Sequence, residues 1–109
     1  MVDFEFDELK REFLAEADEK VREMKTVAGS DPSPEALERL AYLAHQLKGA
    51  GGSYGYQAIS TEAAELERAV ESVGAEGTST DLETVIRERM ANLETEIARR
   101  LAELDRASA

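Results

Sequence analysis

Apolar residues recur at steps of three and four along most of this chain, the period of an α-helix that buries one face. Phe6, Leu9, Phe13, Ala17, Val21 and Met24 open the pattern. Ala, Glu, Leu, Arg and Lys, all strong helix formers, supply much of the rest. Strand-favouring runs and hairpin dipeptides are absent, so the expected fold is all-α.

Gly, Pro and capping residues divide the pattern into four helices. The first is expected over about Asp7 to Ala28, with Gly29-Ser30-Asp31-Pro32 stopping it. Ser33 then reads as an N-cap, with Pro34 at the first helical position and Glu35 at the positive end of the helix dipole. This second helix reaches about Tyr54, where Gly55 ends it. A third covers about Gln57 to Val73, with Ile59, Ala63, Leu66, Val70 and Val73 on one side. Gly74 to Thr80 reads as a loop and Asp81 as the N-cap of a fourth helix that ends near Leu104. Leu82, Val85, Ile86, Leu93, Ile97, Leu101 and Leu104 form its stripe, and Arg106 to Ala109 are expected to fray. Val2 to Phe6 make a short N-terminal lead that caps the assembly through Phe4 and Phe6. Four amphipathic helices with short connections predict an antiparallel four-helix bundle. The 109 residues form a single domain, 1–109, large enough for one core.

Several functions are excluded early. Without cysteine there is no disulfide, thiolate metal site or cysteine nucleophile. A net charge of −11 disfavours nucleic acid and anionic lipid as partners. The same charge also serves ordinary solubility. No apolar run is long enough to span a bilayer and no signal peptide is evident, so the expected location is the cytoplasm. No unused apolar stripe demands a dimer, which makes a monomer the expectation.

The chemistry concentrates around the single histidine, His45, in Ala44-His45-Gln46-Leu47-Lys48-Gly49-Ala50-Gly51-Gly52-Ser53-Tyr54-Gly55-Tyr56. At about 100° per residue, Leu40, Leu43, Leu47 and Tyr54 fall roughly opposite His45 on the helix. Glu38, Ala41, Tyr42, Lys48, Gly49 and Gly52 lie within about 60° of it. His45 is therefore expected to face solvent. On the wheel alone, an ordinary surface histidine is an equal reading.

The glycines separate the two. Gly49, Gly51 and Gly52 in a helix interior together cost about 3 kcal/mol relative to alanine. Gly51 faces the core, where close helix packing would account for it. Gly49 and Gly52 lie beside His45 on the outer face and clear the ground around its ring for a bulky partner. A helix ending near Lys48 would instead make this a glycine-rich loop, but Tyr54 stays in phase with Leu40 and Leu47. Lys48, at i+3, can meet the imidazole, disfavour imidazolium and attract an anion held on the ring. A free imidazole ionises near pH 6.5, so its neutral form is available to attack phosphorus. With no second histidine, no cleft for a Ser-His-Asp arrangement and no P-loop spacing, other chemistries fit less well.

These residues resemble the histidine phosphotransfer (HPt) domain of bacterial two-component phosphorelays. His45, Lys48, Gly49 and Gly55 match its motif, and Leu66-Glu67 matches a Leu-Glu pair usual on its third helix. The resemblance spans nearly the whole chain and implies a phosphocarrier. His45 would accept a phosphoryl group on Nε2 from a receiver phospho-aspartate and pass it to another receiver aspartate. Lys48 would steady the phosphoryl oxygens, and Gly49 and Gly52 would admit the receiver's loops. Ala41 and Tyr42 would join those glycines in a small apolar docking patch, with Glu38 and Lys48 at its rim. The carrier would have no cofactor, ATP site or autokinase activity of its own, and Mg²⁺ would come with the receiver. Its partners would be response-regulator receiver domains and a histidine kinase or hybrid kinase. Two alternatives stand beside this reading: a helical adaptor that carries no phosphate, and the phosphoacceptor domain of a chemotaxis-type histidine kinase.

Overall fold

A computed structural model describes residues 4–29 and 33–108. They form four helices: α1 (Phe4–Ala28), α2 (Pro34–Ser53), α3 (Gln57–Glu76) and α4 (Thr80–Ser108). Among the described residues, α1 and α3 each pack against both α2 and α4, and the diagonal pairs are not adjacent. The result is the expected antiparallel four-helix bundle, about 50 Å long.

The core follows the apolar stripes. Leu14, Met24, Leu43, Leu47, Ile59, Leu66, Leu93 and Ile97 are fully buried, and no polar or charged residue among those described is buried with them. Three positions differ from expectation. Leu14 and Met90 belong to the core although the three-and-four reading passed over them, and Leu9, read as core, is 47% exposed.

Helix ends are set by local chemistry. Ser33 caps α2 as expected, its Oγ accepting from the Ala36 N–H at 3.1 Å. α2 runs straight through Gly49, Gly51 and Gly52, so the loop alternative is wrong. It stops at Gly55, whose φ of +80° suits glycine. There the Tyr56 N–H reaches Gly51 O at 2.8 Å and the Gly55 N–H reaches Gly52 O at 3.2 Å, the paired bonds of a Schellman turn.

Three boundaries move. Residues 4–6 are the first turn of α1 rather than a separate lead. Phe6 still stacks on Tyr54, with ring centroids 6.2 Å apart, while Val2 and the Phe4 side chain lie outside the described residues, as does Ser30-Asp31-Pro32. α3 continues past Gly74 to Glu76, because the stop comes at Gly77, where φ is +89°. α4 consequently starts at Thr80, and its cap is Ser79 instead of Asp81, with Ser79 Oγ accepting from the Leu82 N–H at 3.1 Å. α4 also holds helical form through Ser108, beyond the expected end.

Candidate functional site

α3 packs closely against α2 at Gly51. A Cβ on Gly51 would stand 3.1 Å from Ser60 N and 3.4 Å from Tyr56 O, so any side chain there presses on the α3 backbone and pushes the two helices apart. Ser60 Oγ donates to Lys48 O at 2.8 Å and fastens the same spot. This contact sets the two helices in register, so that about two turns further along α3 presents Glu67 to α2.

Glu67 joins the two functional candidates. One carboxylate oxygen lies 3.0 Å from His45 Nδ1, and the other accepts from Lys48 Nζ at 3.0 Å. The side chains are 65% exposed for His45 and 15% for Glu67, so a shielded carboxylate holds a ring that projects into solvent. Burial pushes the Glu67 carboxyl up, but hydrogen bonds from Lys48 and His45, with their charges, outweigh it and hold the group below its ordinary 4.5. Ionised, Glu67 can only accept, which puts the neutral ring's proton on Nδ1. Nε2 is left with the lone pair, on the open side of the ring.

Lys48 is placed differently from expectation. Its ammonium is engaged by Glu67, so the carboxylate stands between Lys48 and the His45 ring. The wheel on α2 could place Lys48 beside His45 but could not show what α3 would offer it. Glu67 itself was visible only as part of the Leu-Glu pair; its reach to His45 depends on helix register, which a single sequence does not display.

The remaining candidates share the outer face of α2. Glu38, Tyr42, Gly49 and Gly52 are exposed, and Ala41 is half-buried against the core. A Cβ on Gly49 would meet nothing within 4 Å, and one on Gly52 would meet only Ser60 Oγ at 3.8 Å. Packing within the bundle therefore requires neither glycine. Tyr42 is 52% exposed, its hydroxyl accepting from Gln46 Nε2 at 2.7 Å and its ring lying under the Arg39 guanidinium, 5.4 Å from the centroid. Arg39 is in turn gripped by Glu23 of α1, so Tyr42 is held upright.

Glu67→Gln tests this geometry. Its depressed carboxyl contributes stability that is fully present above about pH 4.5 and is lost as pH falls through the folded-state value. The variant should lose that acid limb, so that wild-type and variant unfolding midpoints converge as pH falls through that value. At neutral pH the amide weakens the hold on Nδ1–H, and any histidine-centred transfer should slow by about 10- to 100-fold, the worth of one charged hydrogen bond.

The family model of the Hpt domain matches residues 8–107, nearly the whole chain. No curated protein and no solved structure matches it.

Proposed function

The chain belongs to the Hpt domain family, whose members act by histidine phosphotransfer in phosphorelays, and we propose from that premise that His45 is the phosphoacceptor. The observation that carries the proposal is the Glu67 carboxylate on Nδ1, which leaves Nε2 as the open nucleophile. The Nε2 lone pair attacks the phosphorus of a receiver's aspartyl phosphate, the Nε2–P bond forms, and the P–O bond to the aspartate breaks as its carboxylate leaves. The ring, now carrying phosphorus on Nε2 and a proton on Nδ1, is cationic, and Glu67 stabilises that charge. The same charge makes the ring a good leaving group, so a second receiver's aspartate can take the phosphoryl group by the reverse step.

Lys48 is the remaining cation at the site. A phosphoryl group on Nε2 brings negative charge beside it, and its ammonium is proposed to divide between Glu67 and the phosphoryl oxygens. Mg²⁺ and most of the transition-state stabilisation are proposed to come from the receiver, since phosphoryl transfer depends chiefly on positioning and electrostatics. Glu38, Ala41, Tyr42, Gly49 and Gly52 are the proposed contacts around the ring.

Gly49 offers a further check. Its backbone is helical and its Cβ position is empty, so Gly49→Ala should raise stability by about 0.8–1.0 kcal/mol. The added methyl lies on the proposed docking face, and transfer from a receiver should slow in the same protein. Denaturant midpoints and transfer kinetics on one preparation read both effects.

Mixing the protein with a phosphorylated receiver domain and Mg²⁺ tests the function itself. Acid-labile, base-stable label on the protein is the expected result. Absence of label across a panel of receivers would favour the adaptor, while label acquired only from ATP and a kinase domain would favour the chemotaxis-type acceptor.

A further inference from the structure

Lys48 is held at both ends. Its carbonyl accepts from Ser60 Oγ at 2.8 Å, and its ammonium donates to Glu67 at 3.0 Å. Both grips come from one face of α3. Ser60 and Glu67 stand about two turns apart on that helix and within about 20° of each other around it. Ala64, between them on the same face, carries only a methyl group. α3 therefore holds this part of α2 at two polar points, one on backbone and one on side chains.

The stretch that follows is weak by composition. Gly49, Gly51 and Gly52 come directly after the turn that carries His45 and Lys48, and glycine is a poor helix former because its backbone has the most freedom to lose. α2 ends at Ser53, so these glycines form its last turn, where a helix frays first. Two sets of bonds bracket them. The turn at Gly55 fastens the far side through Gly51 O and Gly52 O. Ser60 fastens the near side at Lys48 O, one residue before the first glycine. A carbonyl has two lone pairs, so the Lys48 oxygen can take the hydroxyl and still accept within its own helix. Gly52 leaves the hydroxyl its space, since a Cβ there would lie 3.8 Å from Ser60 Oγ.

We propose that Ser60 is a positioning residue for His45. Its bond to the Lys48 carbonyl fixes the rotation of the α2 turn that carries His45 and Lys48, and so keeps both side chains on the Glu67 carboxylate. Gly51 sets how near the helices come; Ser60 sets how α2 is turned. Glu67 does not replace it, because a glutamate side chain turns about several bonds and follows the groups it holds. The Ser60 hydroxyl stands one bond from its own Cβ and grips the α2 backbone itself. That its loss is felt in phosphoryl transfer rests on His45 being the phosphoacceptor; its hold on the ring does not.

The test compares Ser60→Ala, which removes the hydroxyl, with Ser60→Thr, which keeps it. Ile97→Val is the control: it takes a buried methyl group from the core on α4 and lowers stability away from the α2–α3 contact. On unphosphorylated protein, Ser60→Ala should speed amide exchange over residues 49–53 by about three- to tenfold, the worth of one hydrogen bond. Its imidazole nitrogen-15 signals should move from the wild-type positions toward those of Glu67→Gln. Transfer from a phosphorylated receiver should slow by about three- to tenfold at saturation, with the half-saturating receiver concentration unchanged. Ser60→Thr should keep the wild-type ring signals, and so should Ile97→Val despite its lower unfolding midpoint. Ring signals unmoved in Ser60→Ala, moved as far in Ser60→Thr, or moved as far in Ile97→Val would overturn the proposal. Wild-type protein that takes no label from any receiver would instead overturn the phosphoacceptor reading, while exchange and ring signals would still decide the role of Ser60.

Discussion

His45→Gln is expected to abolish phosphoryl uptake while leaving the bundle intact. Glutamine has a comparable reach and can still donate to Glu67, but its amide nitrogen has no basic lone pair with which to attack phosphorus. The His45 side chain is 65% exposed and its hydrogen bond is to Glu67, so little folding energy is at stake. The unfolding free energy should stay within about 0.5 kcal/mol of wild type. Label transfer and a denaturation curve, measured on the same sample, separate a lost nucleophile from a lost fold. Residual label on the variant at the wild-type rate would place the acceptor on another residue.

The second large effect is structural. Gly51→Leu should destabilise the protein by about 3 kcal/mol, a large part of the roughly 5–15 kcal/mol that holds a domain together. The cause is contact with backbone, which cannot rotate aside: Ser60 N at 3.1 Å and Tyr56 O at 3.4 Å from the new Cβ. Gly49→Leu, two residues earlier, meets nothing within 4 Å of its Cβ and should fold as wild type does. The contrast matters because forcing α3 away from α2 at Gly51 would also withdraw Glu67 from His45. Gly51→Leu is thus expected to impair transfer through position, although its own side chain never meets the phosphoryl group. Denaturant midpoints of the two variants, compared side by side, check the prediction.

Much of this architecture can be read from α2 alone. The three-and-four spacing of Leu40, Leu43, Leu47 and Tyr54 orients His45 outward because a helix has a fixed period. Ser33-Pro34 and Gly55 mark its ends because capping and positive φ are local properties of those residues. Where several residues could satisfy the same local demand, the sequence is ambiguous. Ser79, Thr80 and Asp81 are all suitable N-caps, and Ser79 takes the role because the chain turns at Gly77 and re-enters a helix at Thr80. Gly74 resembles a stop, yet a glycine with helical dihedrals ends nothing. Met90 escaped notice because it sits between Ile86 and Leu93 on a helix whose partly buried flanks blur the stripe.

The site divides in the same way. His45, Gly49 and Gly52 share a face of one helix, so periodicity brings them together. Glu67 lies 22 residues away on another helix, and its two hydrogen bonds follow from the Gly51–Ser60 contact that sets the helix register. Lys48 accordingly meets a carboxylate that the wheel could not supply.

The central claim is that Glu67 holds the proton on Nδ1 and leaves Nε2 to carry phosphorus. Nitrogen-15 NMR of the imidazole, recorded on the protein before and after loading from a phosphorylated receiver, reads both nitrogens directly. The account predicts a protonated Nδ1 throughout and a bond to phosphorus at Nε2, with both signals altered in Glu67→Gln. Phosphorus on Nδ1, or a loaded protein whose imidazole signals have not moved, would contradict it.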